Sequence, residues 1–335
     1  FGTHCSLPSA CIIKHADGDN ATKLVVEKVE ETSTETMNIL TVTLKEVARP
    51  FKVKLYYKAY KDCDVIKMSA EYINDGKKPI ILQKYMSAAL PVKSEECWLM
   101  HIDGEHGSEN NETFEPLTEG VKVLSTMEGG FPSRHNNASF MLGTDNRISE
   151  TEGNVIAGTL AWTGNFHIEF INNMISKEPV IINAGINPTA ADYTLDGKKS
   201  LMTPEMIFTY SSKGKGQATR NLHYWARNHH ILDGKEQRHI LLNSWEGVRM
   251  NVTQTGMNSM MDDFAALGGE MFVMDDGWFG NKYARTDSQG LGDWEVCKER
   301  LPEGIGKLID YAHGNNIKFG IWIEPEMTNT KSELY

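Results

Sequence analysis

The spacing of apolar residues changes near residue 216, and this change constrains the fold more than any other feature of the chain. Before it, β-branched and aromatic residues recur at every second position in short segments bounded by turn-forming residues: KLVVEKVEE, NILTVTLKEV, FKVKLYYKAY, DVIKMSAEYI, KPIILQKYM, NVIAGTLAWTG, FHIEFI and PEMIFTYSS. Such alternation gives each strand one apolar face, and antiparallel sheets bury these faces against each other. We therefore predict a large antiparallel β-sandwich over residues 1–215.

Residues 216–237 lose this alternation and predict a linker helix that leads out of the sandwich. Three histidines lie on it, and we expect His223, His229 and His230 to be solvated rather than to bind a metal. The five cysteines are scattered without a C-x-x-C spacing, which favours free thiols over disulfides or zinc ligands. We therefore expect neither a metal nor another cofactor.

Residues 238–335 show a second pattern, in which short apolar runs alternate with helical spacing. The runs are HILLNSW, MFVMDDGW and IKFGIWIEPEM. Between them, apolar residues recur at helical intervals in two segments, Met257 to Leu267 and Ile305 to Ala312. Apolar strands that alternate with helices are typical of parallel βαβ units. A (β/α)₈ barrel needs eight such units and about 250 residues, so we expect this region to be the first three units of a TIM barrel that is truncated here.

The overall charge narrows the range of partners. The formal net charge is −11, whereas nucleic acids and anionic membrane surfaces favour basic proteins. No apolar run reaches the roughly 20 residues that span a bilayer. We therefore expect neither nucleic acid nor a membrane to be a partner.

The candidate site lies at the ends of the three predicted strands, where barrels carry their functional residues. The first strand ends in Asn-Ser-Trp-Glu (243–246), the second in Asp-Asp-Gly-Trp (275–278) and the third in Trp-Ile-Glu-Pro-Glu (322–326). Carboxylates accept hydrogen bonds from sugar hydroxyls, and an indole covers the C–H face of a sugar ring. A phosphate would instead favour lysine, arginine or a glycine-rich loop. The pattern therefore favours a sugar ligand.

Each of these residues also has a structural interpretation. A single tryptophan is more often part of a core, and Glu324 and Glu326 would serve equally well in capping the barrel. Alternate side chains at a strand end point in different directions, so that one of Asp275 and Asp276 can reach a pocket while the other pairs structurally. The following loop, GLGDWEV, carries Asp293 and Trp294, which would either form a lid or pack the loop down.

These segments resemble glycoside hydrolase family 36, the larger α-galactosidases. The barrel motifs are LLNSWEG, FVMDDGWFG, LGDWEV, LPEGIGKLI and KFGIWIEPEM, and the sandwich motifs are IIKHADG, SRHNNASFML, LAWTGNF, INAGINP and TPEMIFTYSSKG. The resemblance covers essentially the whole chain. It implies an N-terminal β-supersandwich, a catalytic (β/α)₈ barrel and a C-terminal β-domain.

The resemblance also assigns roles by motif. It implies that Asp275 and Asp276 bind galactose hydroxyls, chiefly those at positions 4 and 6, and that Trp245 and Trp322 line the same subsite. Trp278, Asp293, Trp294, Glu324 and Glu326 are expected to support them. The family's mechanism is retaining, with two carboxyl groups about 5–5.5 Å apart. Its nucleophile lies in a Lys-Trp-Asp motif that does not occur in these 335 residues, and its acid/base lies further on, so we expect no catalytic residue here.

Several functions stay open at this point. The resemblance favours hydrolysis of terminal α-linked galactose, with α-N-acetylgalactosaminidase or galactosyl transfer as alternatives within the family. A non-catalytic sugar-binding or scaffold module is a further alternative. A metal-dependent hydrolase using Asp275, Asp276 and Glu324 is weaker, because no histidine lies at a strand end. Family members often form tetramers, which implies a homo-oligomer. The loop after the paired acids departs from the family's usual Arg-acid pattern, reading NKYARTD over residues 281–287.

Overall fold

The computed structural model describes residues 9–94, 96–129, 135–145, 147–172 and 179–335. The first two residues of the motif SRHNNASFML, Ser133 and Arg134, lie outside the described residues. The chain divides into two compact units, Phe1–Gly234 and Lys235–Tyr335.

The first unit is built almost entirely of antiparallel strands. Within its described residues they are β1 (Cys11–Lys14), β2 (Leu24–Ser33), β3 (Met37–Glu46), β4 (Phe51–Tyr60), β5 (Val65–Asn74), β6 (Ile80–Val92), β7 (Trp98–Glu105), β8 (Ser108–Pro116), β9 (Gly120–Ser125), β10 (His135–Gly143), β11 (Val155–Leu160), β12 (Phe166–Asn172), β13 (Val180–Ile186), β14 (Tyr193–Leu195), β15 (Ser200–Met202) and β16 (Met206–Ser211).

In the described part of the unit these strands form two sheets. One has six strands in the order β1-β6-β13-β12-β9, with β14 also paired to β6; the other has ten in the order β2-β3-β4-β5-β16-β11-β10-β7-β8, with β15 paired to β5. Buried side chains from both sheets make one core, including Ile168 and Phe170 of β12 and Phe140 and Phe208 of the larger sheet. The predicted antiparallel sandwich is therefore confirmed.

One alternating segment does not bury its apolar residues. β2 pairs with β3 over its whole length, yet Val26 is 62% exposed and Val29 is 56% exposed. β2 is the terminal strand of the larger sheet. Alternation predicts the strand, but burial depends on a second layer above it, and an edge strand can extend past that layer.

Helix α1 (Gly214–Trp225) follows β16 and continues into a five-residue π-helix, Ala226–His230. Its buried residues include Ala218 and Trp225. Of the three histidines expected to be solvated, His223 is exposed, but the His229 side chain is only 11% exposed. Its Nε2 atom lies 2.9 Å from Oδ1 of Asp62. The expectation is therefore wrong for His229, because the helix packs this residue against the sandwich.

The second unit alternates strands and helices, as the sequence predicts. Its elements are β17 (Leu241–Asn243), α2 (Trp245–Val248), α3 (Gln254–Ala266), β18 (Met271–Met274), α4 (Gly304–Gly314) and β19 (Lys318–Ile321). The strands form a parallel sheet in the order β17-β18-β19, with Leu242 opposite Phe272 and Phe272 opposite Phe319. The predicted fold class, a β-sandwich followed by the start of a β/α barrel, is confirmed.

The helices of this unit follow from local sequence signals. Thr253 caps the N-terminus of α3, and its hydroxyl accepts the Gly256 N–H at 3.1 Å. It buries Met257, Met261 and Phe264 against the sheet. Leu267, which belongs to the same apolar spacing, is 87% exposed because it lies beyond the last turn of α3. Among the described residues, no helix combines the length and the hydropathy needed to cross a bilayer.

Candidate functional site

The paired acids lie directly after β18, and the pleat of the strand gives them different environments. Phe272, Met274 and Asp276 are all buried, whereas Val273 and Asp275 are half-buried. The period of two thus continues past the end of the strand. Asp276 points to the same side as the core residues of β18, and Asp275 points to the other side.

Asp276 is engaged by an arginine from the loop that follows. The Nε of Arg285 donates to Oδ1 at 2.9 Å, and Nη2 lies 2.9 Å from Oδ2. Both side chains are 7% exposed. Burial raises the pKa of Asp276 above its ordinary value, although the hydrogen bonds and charge of Arg285 act in the opposite direction. Arg285 thereby fixes the orientation of this carboxylate.

Asp275 is linked to the end of the neighbouring strand β17. The Nδ2 of Asn243 donates to Oδ2 of Asp275 at 2.5 Å, and the backbone N–H of Asp275 donates to Oγ of the fully buried Ser244 at 3.0 Å. The Oδ1 of Asn243 in turn accepts the backbone N–H of Trp245 at 2.8 Å. Asn243 therefore bridges Asp275 and the start of α2, and brings two of the predicted site residues together.

Four aromatic side chains pack together next to the acids. The ring centroids of Phe279 and Trp294 lie 4.5 Å apart, and Trp294 lies 6.2 Å from both Trp278 and Trp322. The indole Nε1 of Trp278 donates to the carbonyl of Trp322 at 3.0 Å. Trp278 is buried and so belongs to the core, whereas Trp322 and Trp294 are half-buried and keep part of their faces accessible.

Asp293 is buried, whereas the two glutamates are more accessible. The carboxylate of Asp293 accepts the backbone N–H groups of Glu333 at 2.9 Å and Leu334 at 3.1 Å, so it holds the segment after β19 against the loop. Glu324 is half-buried and Glu326 is exposed. Of the two interpretations of the GLGDWEV loop, packing is the one that Asp293 shows.

Sequence reasoning missed Arg285 as the partner of Asp276. The loop has no periodicity that would place a residue nine positions away, so its position was not predictable from spacing. One signal was present in the sequence. The alternation of β18 continues from Phe272 and Met274 to Asp276, which identifies Asp276 as the buried acid. A buried carboxylate requires a cation or several hydrogen-bond donors as partners. Arg285, the only arginine of the loop between Gly280 and Gly290, was then the natural candidate.

Chemically, this arrangement can hold a polyhydroxylated ligand. Asp275 keeps an accessible carboxylate beside the amide of Asn243, and indole faces lie at the same edge of the sheet. Both oxygens of Asp276 bind Arg285, which makes it a poor ligand for a divalent ion. These polar groups and tryptophans lie at the carboxyl ends of parallel β/α units, where enzymes of the β/α-barrel class carry their functional residues.

The chain belongs to glycoside hydrolase family 36. The family's N-terminal domain matches residues 1–196, and the Melibiase family matches residues 200–335. The resemblance expected from the motifs is therefore confirmed.

Several characterised proteins are similar to this chain. It is 30% identical to the α-galactosidase Mel36A of Lactobacillus acidophilus, over 97% of this chain and 46% of that protein. It is 31% identical to the bifunctional α-galactosidase/sucrose kinase AgaSK of Mediterraneibacter gnavus, over 88% of this chain and 31% of that protein. The crystal structure of the α-galactosidase AgaA from Geobacillus stearothermophilus matches with a TM-score of 0.90 and 26% identity, over 98% of this chain and 47% of that one. The chain thus spans less than half the length of these relatives.

Proposed function

We propose that the protein containing this chain is an α-galactosidase that hydrolyses terminal α-linked galactose from oligosaccharides with retention of configuration. The observation that carries the proposal is the pair Asp275–Asp276 at the end of β18, linked to Asn243 on one side and Arg285 on the other. Relatives over nearly the whole chain are named α-galactosidases. Variants of AgaA were crystallised with stachyose and raffinose, which supports an oligosaccharide substrate.

In this proposal the two strand-end acids bind the sugar hydroxyls and the indoles cover its apolar face. Asp275 accepts hydrogen bonds from hydroxyls, as charge-assisted bonds that a neutral group would make less strongly. Asp276 has lone pairs left after binding Arg285 and accepts from a second hydroxyl. Trp245 and Trp322 line the subsite. Trp278, Asp293, Trp294, Glu324 and Glu326 hold these residues in place.

The proposal assigns binding, and not bond cleavage, to the strand-end acids of this chain. A retaining glycosidase needs a nucleophilic carboxylate and a carboxylic acid about 5–5.5 Å apart across the scissile bond. The ion pair with Arg285 and the hydrogen bond from Asn243 orient the two acids, and in this proposal both bind sugar hydroxyls and neither attacks the glycosidic bond. We place the nucleophile and the acid/base in the part of the relatives that this chain does not match.

The test is turnover of nitrophenyl glycosides by the full-length protein. We expect release from the α-galactoside and little from α-N-acetylgalactosaminide, with the α-anomer of galactose appearing first by NMR. Release chiefly from the N-acetylated substrate would favour the second activity of the family. Tight binding of galactose without release of nitrophenol from either substrate would contradict the proposal and favour a non-catalytic sugar-binding module.

We also propose that the protein is a homo-oligomer, as the family resemblance implies. The exposed valines of β2 support this, because an apolar edge strand favours contact with another chain. Light scattering should give a mass that is a multiple of the monomer mass, and Val26→Asp should reduce it. Val47→Asp, which changes an exposed valine in the turn after β3 and not on an edge strand, is the matched control and should leave the mass unchanged.

A further inference from the structure

Three side chains with metal-binding atoms converge in the first unit, whereas the candidate sugar site is built from residues of the second. A carboxylate oxygen of Asp62, the Sγ of Cys63 and an imidazole nitrogen of His229 all lie within 4.8 Å of one another. Asp62 and Cys63 belong to the turn between β4 and β5, whereas His229 lies 167 residues after Asp62 in the π-helix. The fold, and not sequence proximity, therefore creates the cluster.

The imidazole of His229 is held in one orientation. Its Nε2 lies 2.9 Å and 3.0 Å from the two oxygens of Asp62, and its ring packs on the ring of Tyr60 with centroids 4.5 Å apart. Tyr60 is the last residue of β4, so the strand that leads to two of the candidate ligands also supports the third. The cluster is consequently preorganised by the backbone on one side and by a tilted aromatic ring in contact with the imidazole on the other.

The backbone around His229 is itself unusual. The N–H of Ile231 donates to the carbonyl of Ala226 at 2.8 Å, which is the wider spacing of a π-helix. π-turns are rare and occur frequently at functional sites, where the extra residue directs a side chain that a regular α-helix would turn away. Here the π-helix follows α1 directly and carries His229 to the turn between β4 and β5.

We propose that Asp62, Cys63 and His229 bind a divalent transition metal ion of the zinc class, with water as the fourth ligand. A thiolate, an imidazole and a carboxylate are all zinc ligands, whereas Ca²⁺ and Mg²⁺ prefer oxygen donors alone. Zinc bond lengths place tetrahedral ligand atoms about 3.3–3.7 Å apart. The three candidate ligand atoms lie within 4.8 Å of one another, about 1 Å above this spacing at most. The bound ion would tie the π-helix to the turn between β4 and β5 and so stabilise the first unit.

The thiol must lose its proton when the metal binds. Cysteine binds metal ions as the thiolate, so the Cys63 thiol releases its proton to solvent as the ion binds. The positive charge of a coordinated divalent ion favours this deprotonation.

Co²⁺ is the spectroscopic probe for the test, because a thiolate–Co²⁺ bond gives a charge-transfer band and tetrahedral Co²⁺ absorbs strongly in the visible. Titration of the metal-free full-length protein should give one saturable equivalent with both signals. Cys63→Ser should abolish the charge-transfer band, and His229→Gln should weaken binding by about 100-fold or more. Cys11→Ser, which changes another half-buried thiol of the same unit, is the matched control and should bind as the unchanged protein does.

A second measurement covers the case in which a variant folds poorly. Zn²⁺ should raise the thermal unfolding midpoint of the unchanged protein and of Cys11→Ser, since a ligand that binds the folded state stabilises it. The increase should disappear in His229→Gln. The proposal is overturned if Co²⁺ gives no saturable binding, if the charge-transfer band survives Cys63→Ser, or if Zn²⁺ raises the midpoint equally in His229→Gln.

Discussion

Asp276 and Arg285 form a bidentate ion pair, in which Nε and Nη2 of the guanidinium each lie 2.9 Å from a different carboxylate oxygen. Only 7% of either side chain is exposed, so water compensates neither charge. The carbonyl of Arg285 also accepts from Nη2 of Arg300 at 2.9 Å. The pair therefore fastens the loop after β18 to the strand end that carries the paired acids.

Removing one member of this pair should destabilise the second unit. Asp276→Ala leaves the Arg285 guanidinium buried without a counter-charge, and such changes cost about 3–5 kcal/mol. We expect a clearly lower free energy of unfolding for the full-length protein. Tryptophan fluorescence can follow this transition, because Trp278 and Trp294 lie in the same core. Turnover of α-galactosides should fall as well, since the neighbouring acid loses its support.

The matched control for that change is Asp287→Ala. Asp287 is an exposed acid of the same loop, and its removal should shift stability by less than about 0.5 kcal/mol. The double variant Asp276→Ala/Arg285→Met should recover part of the lost stability, because it removes both buried charges together. Equal stability of Asp276→Ala and Asp287→Ala would show that the ion pair does not hold the loop.

Asp275→Ala should weaken turnover of the α-galactoside while leaving the stability of the fold nearly unchanged. Asp275 is half-buried and its side-chain partner Asn243 is exposed, so water can replace the lost hydrogen bond and stability should change by less than about 1 kcal/mol. Two charge-assisted bonds to sugar hydroxyls are worth about 3–4 kcal/mol, and each 1.4 kcal/mol is tenfold. We expect kcat/KM for an α-galactoside to fall by about 10²–10³-fold. Asp310→Ala, an exposed acid on α4, should leave kcat/KM unchanged; an unchanged value in Asp275→Ala would contradict the proposed role.

Local periodicity was sufficient to predict most of the fold. The spacing of Met257, Met261 and Phe264 gave the buried face of α3, and that of Leu308 and Ala312 gave the buried face of α4. These patterns are predictable because a helix must bury one face whatever it packs against. The exposure of β2 was not predictable, since it depends on which strands lie above it and not on the strand itself.

The residue types of the candidate site were predictable from the sequence, but the hydrogen bonds and ion pairs between them were not. The strand-end position of Asp275 and Asp276 followed from the βαβ pattern, because function concentrates where parallel strands end. The bond from Asn243 to Asp275 and the pair formed by Asp276 with Arg285 depend on loop conformation and on register between strands. His229 shows the same limit: its partner Asp62 lies in a turn that no sequence spacing connects to it.

Gly277 is expected to be essential for the shape of the strand end. Its φ is +113°, and a Cβ atom there would lie 2.7 Å from the carbonyl oxygen of Met250 and 2.8 Å from its Cα. Gly277→Ala combines backbone strain with a backbone clash and should cost about 2 kcal/mol or more. The thermal unfolding midpoint and kcat/KM should both decline.

Gly306→Ala, within α4 where an added Cβ meets no atom within 4 Å, should instead stabilise the protein by up to about 1 kcal/mol. Similar midpoints for the two variants would contradict this account.

Glu169 is the centre of a buried polar cluster on the six-stranded sheet. Burial by itself favours its neutral form, but hydrogen bonds from His167, Lys84 and Asn183 outweigh this and lower the pKa of Glu169 to about 2. The Nδ2 of Asn183 donates to Oε1 at 2.8 Å, and Lys84 binds the same oxygen. The folded state therefore holds Glu169 ionised under conditions in which the unfolded chain protonates it.

This lowered pKa should make the first unit sensitive to acid. The ordinary pKa of Glu169 is 4.5 and the folded value is about 2, so the unfolded state binds more protons within that window and stability falls as the pH drops through it. The loss of unfolding free energy should total about 3 kcal/mol. It should be followed through the unfolding midpoint of the first unit between pH 5 and 2.

The side chain introduced by Glu169→Gln cannot titrate, so this variant should flatten that part of the stability curve. Its stability at neutral pH should be lower, because Lys84 loses its counter-charge. Glu31→Gln, an exposed acid on β2, should keep the full slope; an equally steep acid limb in Glu169→Gln would assign the sensitivity to other carboxylates.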